Sequence, residues 1–120
     1  VIEGRKIRAK KTSIDIAWFE FSELCGGPRS SSDYVKLGKM YQTIIVSNVP
    51  FLRSDKEDQA RRFISLVDEF YDNNVKLIIS AEARADSLYL GEILLFEFQR
   101  TVSRLTEMQS VEYLKNQYLT

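Results

Sequence analysis

The chain predicts an α/β domain: an amino-terminal β-hairpin followed by a small parallel sheet with flanking helices. Three observations carry this reading. Two short continuous runs, Thr43-Ile44-Ile45-Val46-Ser47 and Val75-Lys76-Leu77-Ile78-Ile79-Ser80, have the apolar, β-branched composition of buried strands, the first that of a strand covered on both faces. Between them, Ala60, Phe63, Ile64, Val67, Phe70 and Tyr71 follow the helical period without a miss. The order strand, helix, strand, helix, strand, helix then implies right-handed crossovers, which make the strands parallel.

The elements follow in order along the chain. Arg5 to Lys10 alternates as a strand, and Ile14 to Phe21 carries Ile14, Ile16, Trp18 and Phe19. The polar Lys11-Thr12-Ser13 between them predicts a hairpin. Ser22 is placed to cap one turn of helix through Cys25, before Gly26-Gly27-Pro28 breaks it. Ser30 to Asp33 is a short loop ending in an N-cap signal, and a helix from Tyr34 to about Tyr41 follows. Asn48-Val49-Pro50 ends the first buried run. Ser54 and Glu57 stand at capping-box spacing and open the amphipathic helix, which Asp72-Asn73-Asn74 stops. Residues from about Ala81 to Leu95 read as loop. The last helix runs from about Phe96 to Ser110 and puts Phe98, Val102 or Thr101, Leu105 and Met108 on one face. The tail from Val111 is expected to continue helically through Tyr113 and Leu114 and then fray. Residues 1–25 (hairpin and short helix) and 33–110 (a βαβα core) form one domain.

Composition excludes more than it selects. A chain of 120 residues with 44% apolar residues is one domain's worth of sequence with enough material for a core. Zero net charge gives no electrostatic pull toward nucleic acid or an anionic membrane, so nucleic acid is not expected as a partner. No run is long enough to span a bilayer, and no basic start leads into an apolar leader. The absence of histidine removes Ser-His-Asp triads, Cys-His pairs and imidazole metal sites, and no metal site is expected. Cys25, the one cysteine, sits in an apolar context and reads as a small buried hydrophobe in a reducing compartment.

Several short motifs fail on inspection. Gly38-Lys39 cannot be a phosphate loop, because position 33 is Asp, position 40 is Met, and both residues lie in a helix. Leu66-Val67-Asp68-Glu69 resembles an apolar-Asp-Glu strand ending that holds magnesium. It falls mid-helix, on the side away from Phe63, Val67 and Phe70, so a solvated face is expected. Arg62 stands four residues after Asp58, as in a surface helix pair. Ile2-Glu3-Gly4-Arg5 matches a protease tag site or a native turn into the first strand. Ser47, Asn48 and Ser80 end parallel-type strands, where open α/β sheets bind ligands, or they merely cap loops. Arg100 and Arg104 lie four residues apart on one helix face, with Glu97 and Glu107 beside them. They can meet phosphate charge or pair with the glutamates.

Taken together, Trp18 to Cys25, Asp33-Tyr34, Asn48-Val49-Pro50, Ala60 to Ile64, Leu66-Val67-Asp68, Tyr71-Asp72, Lys76-Leu77, Ser80-Ala81 and Phe98 to Ser110 occur in an order that resembles the carboxyl-terminal part of the ZapE family. These are AAA-type ATPases tied to bacterial cell division and similar to mitochondrial Afg-type ATPases. The resemblance implies one half of a P-loop hydrolase fold without the P-loop, hence a carboxyl-terminal fragment that does not bind ATP strongly alone. It implies ATP and Mg2+ as cofactors of the full-length protein. Arg104, with Arg100 beside it, becomes the arginine expected to reach nucleotide, and Asn48 and Ser80 remain cofactor-binding candidates. The expected partners are the protein's own amino-terminal P-loop region, further copies of itself, and a cell-division or client protein, with only indirect membrane association. The expected location is the cytoplasm in a bacterium, or the mitochondrion in a eukaryote. The alternative is a non-catalytic protein-interaction module. Asp86 to Leu95 reads as shorter than the family's usual loop.

Overall fold

A computed structural model of the chain describes residues 7–109. The signals at Ile2 to Arg5 and from Val111 onward lie outside the described residues. Four strands, β1 (Lys11–Thr12), β2 (Ile16–Glu20), β3 (Thr43–Val49) and β5 (Lys76–Ala81), form one sheet in the order β1-β2-β3-β5. The first pair is antiparallel, with Lys11 opposite Trp18, and the other pairs are parallel. The helices are α1 (Phe21–Cys25), α2 (Ser31–Met40), α3 (Glu57–Asp72), α4 (Ala85–Leu88) and α5 (Leu95–Glu107). Their buried residues share one core with the inward row Ala17, Phe19, Ile44, Val46 and Leu77.

The α/β architecture matches expectation, with corrections at the edges. Of the strand expected at Arg5–Lys10, residues 7–10 are described and are not strand; the first strand among the described residues is Lys11–Thr12. At Arg8 the backbone N–H is taken by the Glu23 carboxylate at 2.7 Å, whereas the Lys10 N–H still donates to the Trp18 carbonyl at 2.6 Å. Glu20 occupies the cap position of α1, which places Ser22 inside the helix. Helix α2 begins at Ser31 behind a capping box in which Asp33 accepts the Ser30 N–H at 2.8 Å. Gly38 lies within α2, as required by the rejection of a phosphate loop.

The box expected from Ser54 and Glu57 does not form. Ser54–Lys56 is a 3-10 turn, and Glu57 faces the 89–94 loop instead. Its carboxylate accepts the Tyr89 hydroxyl at 2.6 Å and the N–H groups of Glu92 and Ile93 at 3.2 and 3.1 Å. Three donors outcompete the single backbone N–H of a cap. The hydrogen bond from Tyr89 and those two N–H groups also hold the Glu57 carboxyl below its ordinary range, against a smaller opposing push from desolvation. A Cβ at Gly91 would sit 2.5 Å from Glu57 Oε1, so the clamp needs glycine there. The stretch expected as loop therefore contains α4 and β6 (Tyr89–Leu90), which pairs in parallel with β4 (Leu52–Arg53).

The second correction concerns the sheet. β3 and β5 were expected as buried strands, β3 covered on both faces. Every described helix packs on one face only, and β5 is an edge strand on which Ile78 remains 45% exposed. Helix α3 ends at Asp72, and Asn74 takes the left-handed conformation (φ 57°) that turns the chain into β5. No described helix is long and apolar enough to cross a membrane.

Candidate functional site

Helix α5 is built to aim its arginines. Phe98, Thr101 and Leu105 are buried, with Met108 beyond the helix end, and Thr101 Oγ1 bonds back to the Glu97 carbonyl at 3.2 Å. Of the alternatives Thr101 and Val102, the threonine takes the inner position. That stripe turns Arg100 and Arg104 toward α3, where both meet Asp68. Arg100 Nη2 lies 3.3 Å from Asp68 Oδ2, and Arg104 Nη1 bonds Asp68 Oδ1. The Arg104 guanidinium also lies over the Tyr71 ring, 5.0 Å from its centroid. The Tyr71 hydroxyl donates to the Glu107 carboxylate, and this hydrogen bond is the main cause that holds the phenol above its ordinary range.

The acidic partner is thus Asp68, not the glutamates of α5, and Asp68, 24% exposed, is paired instead of free on a solvated face. It was missed because its partners lie more than thirty residues away. A guanidinium carries five N–H donors, and each of these arginines spends one on the shared carboxylate. Arg100 remains 50% exposed and Arg104 27% exposed, so both keep donors open to solvent. Arg62, by contrast, is committed as expected to Asp58, at 3.3 Å, and also to the Cys25 carbonyl at 3.1 Å.

A second polar cluster lies at the carboxyl ends of the parallel strands. Asn48 and Ser80 are brought together there: the Asn48 N–H donates to Ser80 Oγ at 3.0 Å, with Asn48 at φ 63°. Asn48 Nδ2 donates to both oxygens of Glu20, at 2.9 Å each. Ser47 Oγ and Lys10 Nζ each reach Glu20 Oε1 at 2.9 Å, and Trp18 Nε1 donates to Ser47 Oγ at 2.9 Å. The Asn48 amide first, then Lys10 and Ser47, hold the Glu20 carboxyl down to about 2. Glu20 was not anticipated, although its place at the end of β2, in alternation with Trp18, was a usable signal. A carboxylate so supplied with donors is a poor proton acceptor near neutrality; it fixes Asn48 and Ser47 in place.

Cys25 is buried, and desolvation pushes its thiol up to about 12. That is the small-hydrophobe role, not a nucleophile's. Among the described residues, no group of three or more cysteines, aspartates or glutamates could hold a metal ion.

Among the described residues these features define an α/β domain with one helical layer and an arginine pair on α5, and the sequence holds neither a phosphate loop nor a histidine. The chain belongs to the AFG1-like ATPase family, whose profile matches residues 1–117. It is similar to cell division protein ZapE of Escherichia coli K12, at 50% identity over 82% of this chain and 26% of that protein. It is also similar to lactation elevated protein 1 homolog B of Danio rerio, at 33% identity over 93% of this chain and 29% of that protein. The second alignment runs over 144 positions, more than the 120 residues here, so that relative carries inserted residues. The chain spans between a quarter and a third of the length of these curated relatives. No solved structure matches it.

Proposed function

We propose that this chain is the carboxyl-terminal region of an AAA-type ATP hydrolase that acts in cell division. In this reading it packs on a P-loop-bearing amino-terminal region and presents Arg104, with Arg100 beside it, to nucleotide. The observation that carries the reading is the pair of partly exposed guanidinia sharing the single carboxylate of Asp68. Their remaining N–H donors suit phosphate oxygens, which guanidinium groups meet as a planar fork. ATP and Mg2+ belong to the longer polypeptide. An arginine that meets a transferring phosphoryl group contributes about 10^3–10^5 in turnover. Asn48 and Ser80 stay candidates for a nucleotide contact at the strand ends, although each already has an internal partner. Further copies of the protein and a cell-division or client protein are the proposed partners. The proposed location is the cytoplasm of a bacterium, or the mitochondrion if the source is eukaryotic.

The test is Arg104→Ala in the full-length protein, with turnover and nucleotide affinity measured in parallel. A loss of tenfold or more in turnover at unchanged affinity and assembly is expected. Retained turnover would rule out the contact. It would favour a second reading, a non-catalytic interaction module, for which the apolar knob at the start of α5 speaks: Ile93 is 67% and Phe96 78% exposed.

A further inference from the structure

Parallel sheets are found with both faces covered, because their strands carry apolar side chains on both sides. Here the outward row is Trp18, Ile45 and Ile78, aligned across β2, β3 and β5 by the strand register. The row below it is Ile16, Thr43 and Lys76. Ile16 and Ile78 are each more than 40% exposed, while every described helix belongs to the core on the other face. The thinnest dimension of the molecule is 22 Å, the depth of one sheet and one helix layer at about 10 Å each.

We propose that this outward sheet face is an internal seam, covered by an apolar segment of the P-loop-bearing region of the same polypeptide. The proposal rests on the reading above in assuming that longer polypeptide. Two arguments choose this occupant. The curated relatives are three to four times as long as the part this chain matches, so polypeptide is available to supply a second layer. Size also argues against a second copy. Three strands about 4.8 Å apart and five residues long at about 3.3 Å each make a face of roughly 230 Å2. A free-standing dimer needs about 800 Å2 on each partner. A tethered segment avoids most of the entropic cost of bimolecular association and can use so small a seat. Lys10 and Glu20 at its rim pair with each other, which leaves Lys76 as the one further charge in the rows named.

The experiment places a thiol on the face with Ile78→Cys, in the 120-residue chain and in the full-length protein. Maleimide labelling at residue 78 is followed by mass spectrometry, with oligomeric state monitored by light scattering. Labelling at least tenfold slower in the monomeric full-length protein is expected. Equal rates in the two proteins overturn the proposal. Protection that appears only as oligomers form assigns the face to a second copy and also overturns it. Thr43→Cys, on the same face, replaces Ile78→Cys if that variant misfolds. The arginine reading fails separately: slow labelling together with full turnover of Arg104→Ala keeps the seam and removes the arginine contact. Fast labelling with lost turnover does the reverse.

Discussion

Replacing Asp68 by asparagine removes the carboxylate that Arg100 and Arg104 share while keeping the side chain's size and one acceptor oxygen. The magnitude follows from exposure. The Arg100 pair, at 3.3 Å with half of the arginine in water, belongs at the low end of the roughly 0.2–1 kcal/mol of solvated ion pairs. The Arg104 pair is less exposed and belongs near the upper end, because the Tyr71 ring already holds the guanidinium in place. Together they contribute about 1 kcal/mol, or about 4 °C in Tm for a chain of this length. The stacking on Tyr71 survives the substitution. Urea unfolding should show a lower midpoint at an unchanged slope. The difference from wild type should shrink between 0.1 and 1 M salt, as the screening length falls from about 10 to about 3 Å. A double-mutant cycle with Arg104→Met should return a coupling of about 0.5–1 kcal/mol. A salt-independent loss above about 3 kcal/mol would refute the reasoning, since it is the mark of a dry buried pair whose arginines are not free to leave. Zero coupling would refute it from the other side.

Two further outcomes test the polar clusters. Glu20 has its carboxyl lowered from an ordinary 4.5 to about 2, so its contribution to stability is complete above 4.5 and is lost as pH falls toward 2; Glu20→Gln should flatten that acid limb in urea midpoints measured between pH 5 and 2. The amides of Glu92 and Ile93, bonded to Glu57, should lose hydrogen-exchange protection in both Glu57→Ala and Gly91→Ala, and unchanged protection would show that the carboxylate does not hold the loop.

What could be read from the sequence was set by the range of the interaction. The long helix was legible because its stripe of Ala60, Phe63, Ile64, Val67, Phe70 and Tyr71 is a local period; the first five side chains are buried and Tyr71 is half-buried. The Arg62–Asp58 pair was legible for the same reason, being one helical turn long. Glu57, Asp68 and Glu20 were misread or missed because each takes partners from an element far along the chain. The Ser54–Glu57 spacing is a real local signal that loses to Tyr89 and two loop amides, and nothing within four residues of Glu57 announces them. Likewise β4 and β6 are two residues each, too short for any period, and pair beside the loop that Glu57 holds.

The reading of β3 as covered on both faces differs in kind from these. A capping box or a hairpin boundary fails when a stronger partner wins. Ile45 and Ile78 have no competing explanation, because nothing in β3 or β5 selects apolar residues on a face meant for water. Period-two alternation is what a strand with one wet face displays, and antiparallel sheets with a solvated side display it routinely. Thr43 to Ser47 and Val75 to Ser80 do not alternate so, and Trp18 stands in register with both isoleucines. Polar groups on that face stand at its two ends: Thr43 and Lys76 at one, and at the carboxyl end Glu20, Ser47 and Asn48, which satisfy one another. Ile16 and Ile78 stay exposed on that surface, which the helices of residues 7–109 do not cover. The mismatch between a two-sided pattern and a one-sided structure is therefore the observation on which the proposed seam rests, and the Ile78→Cys labelling rates decide it.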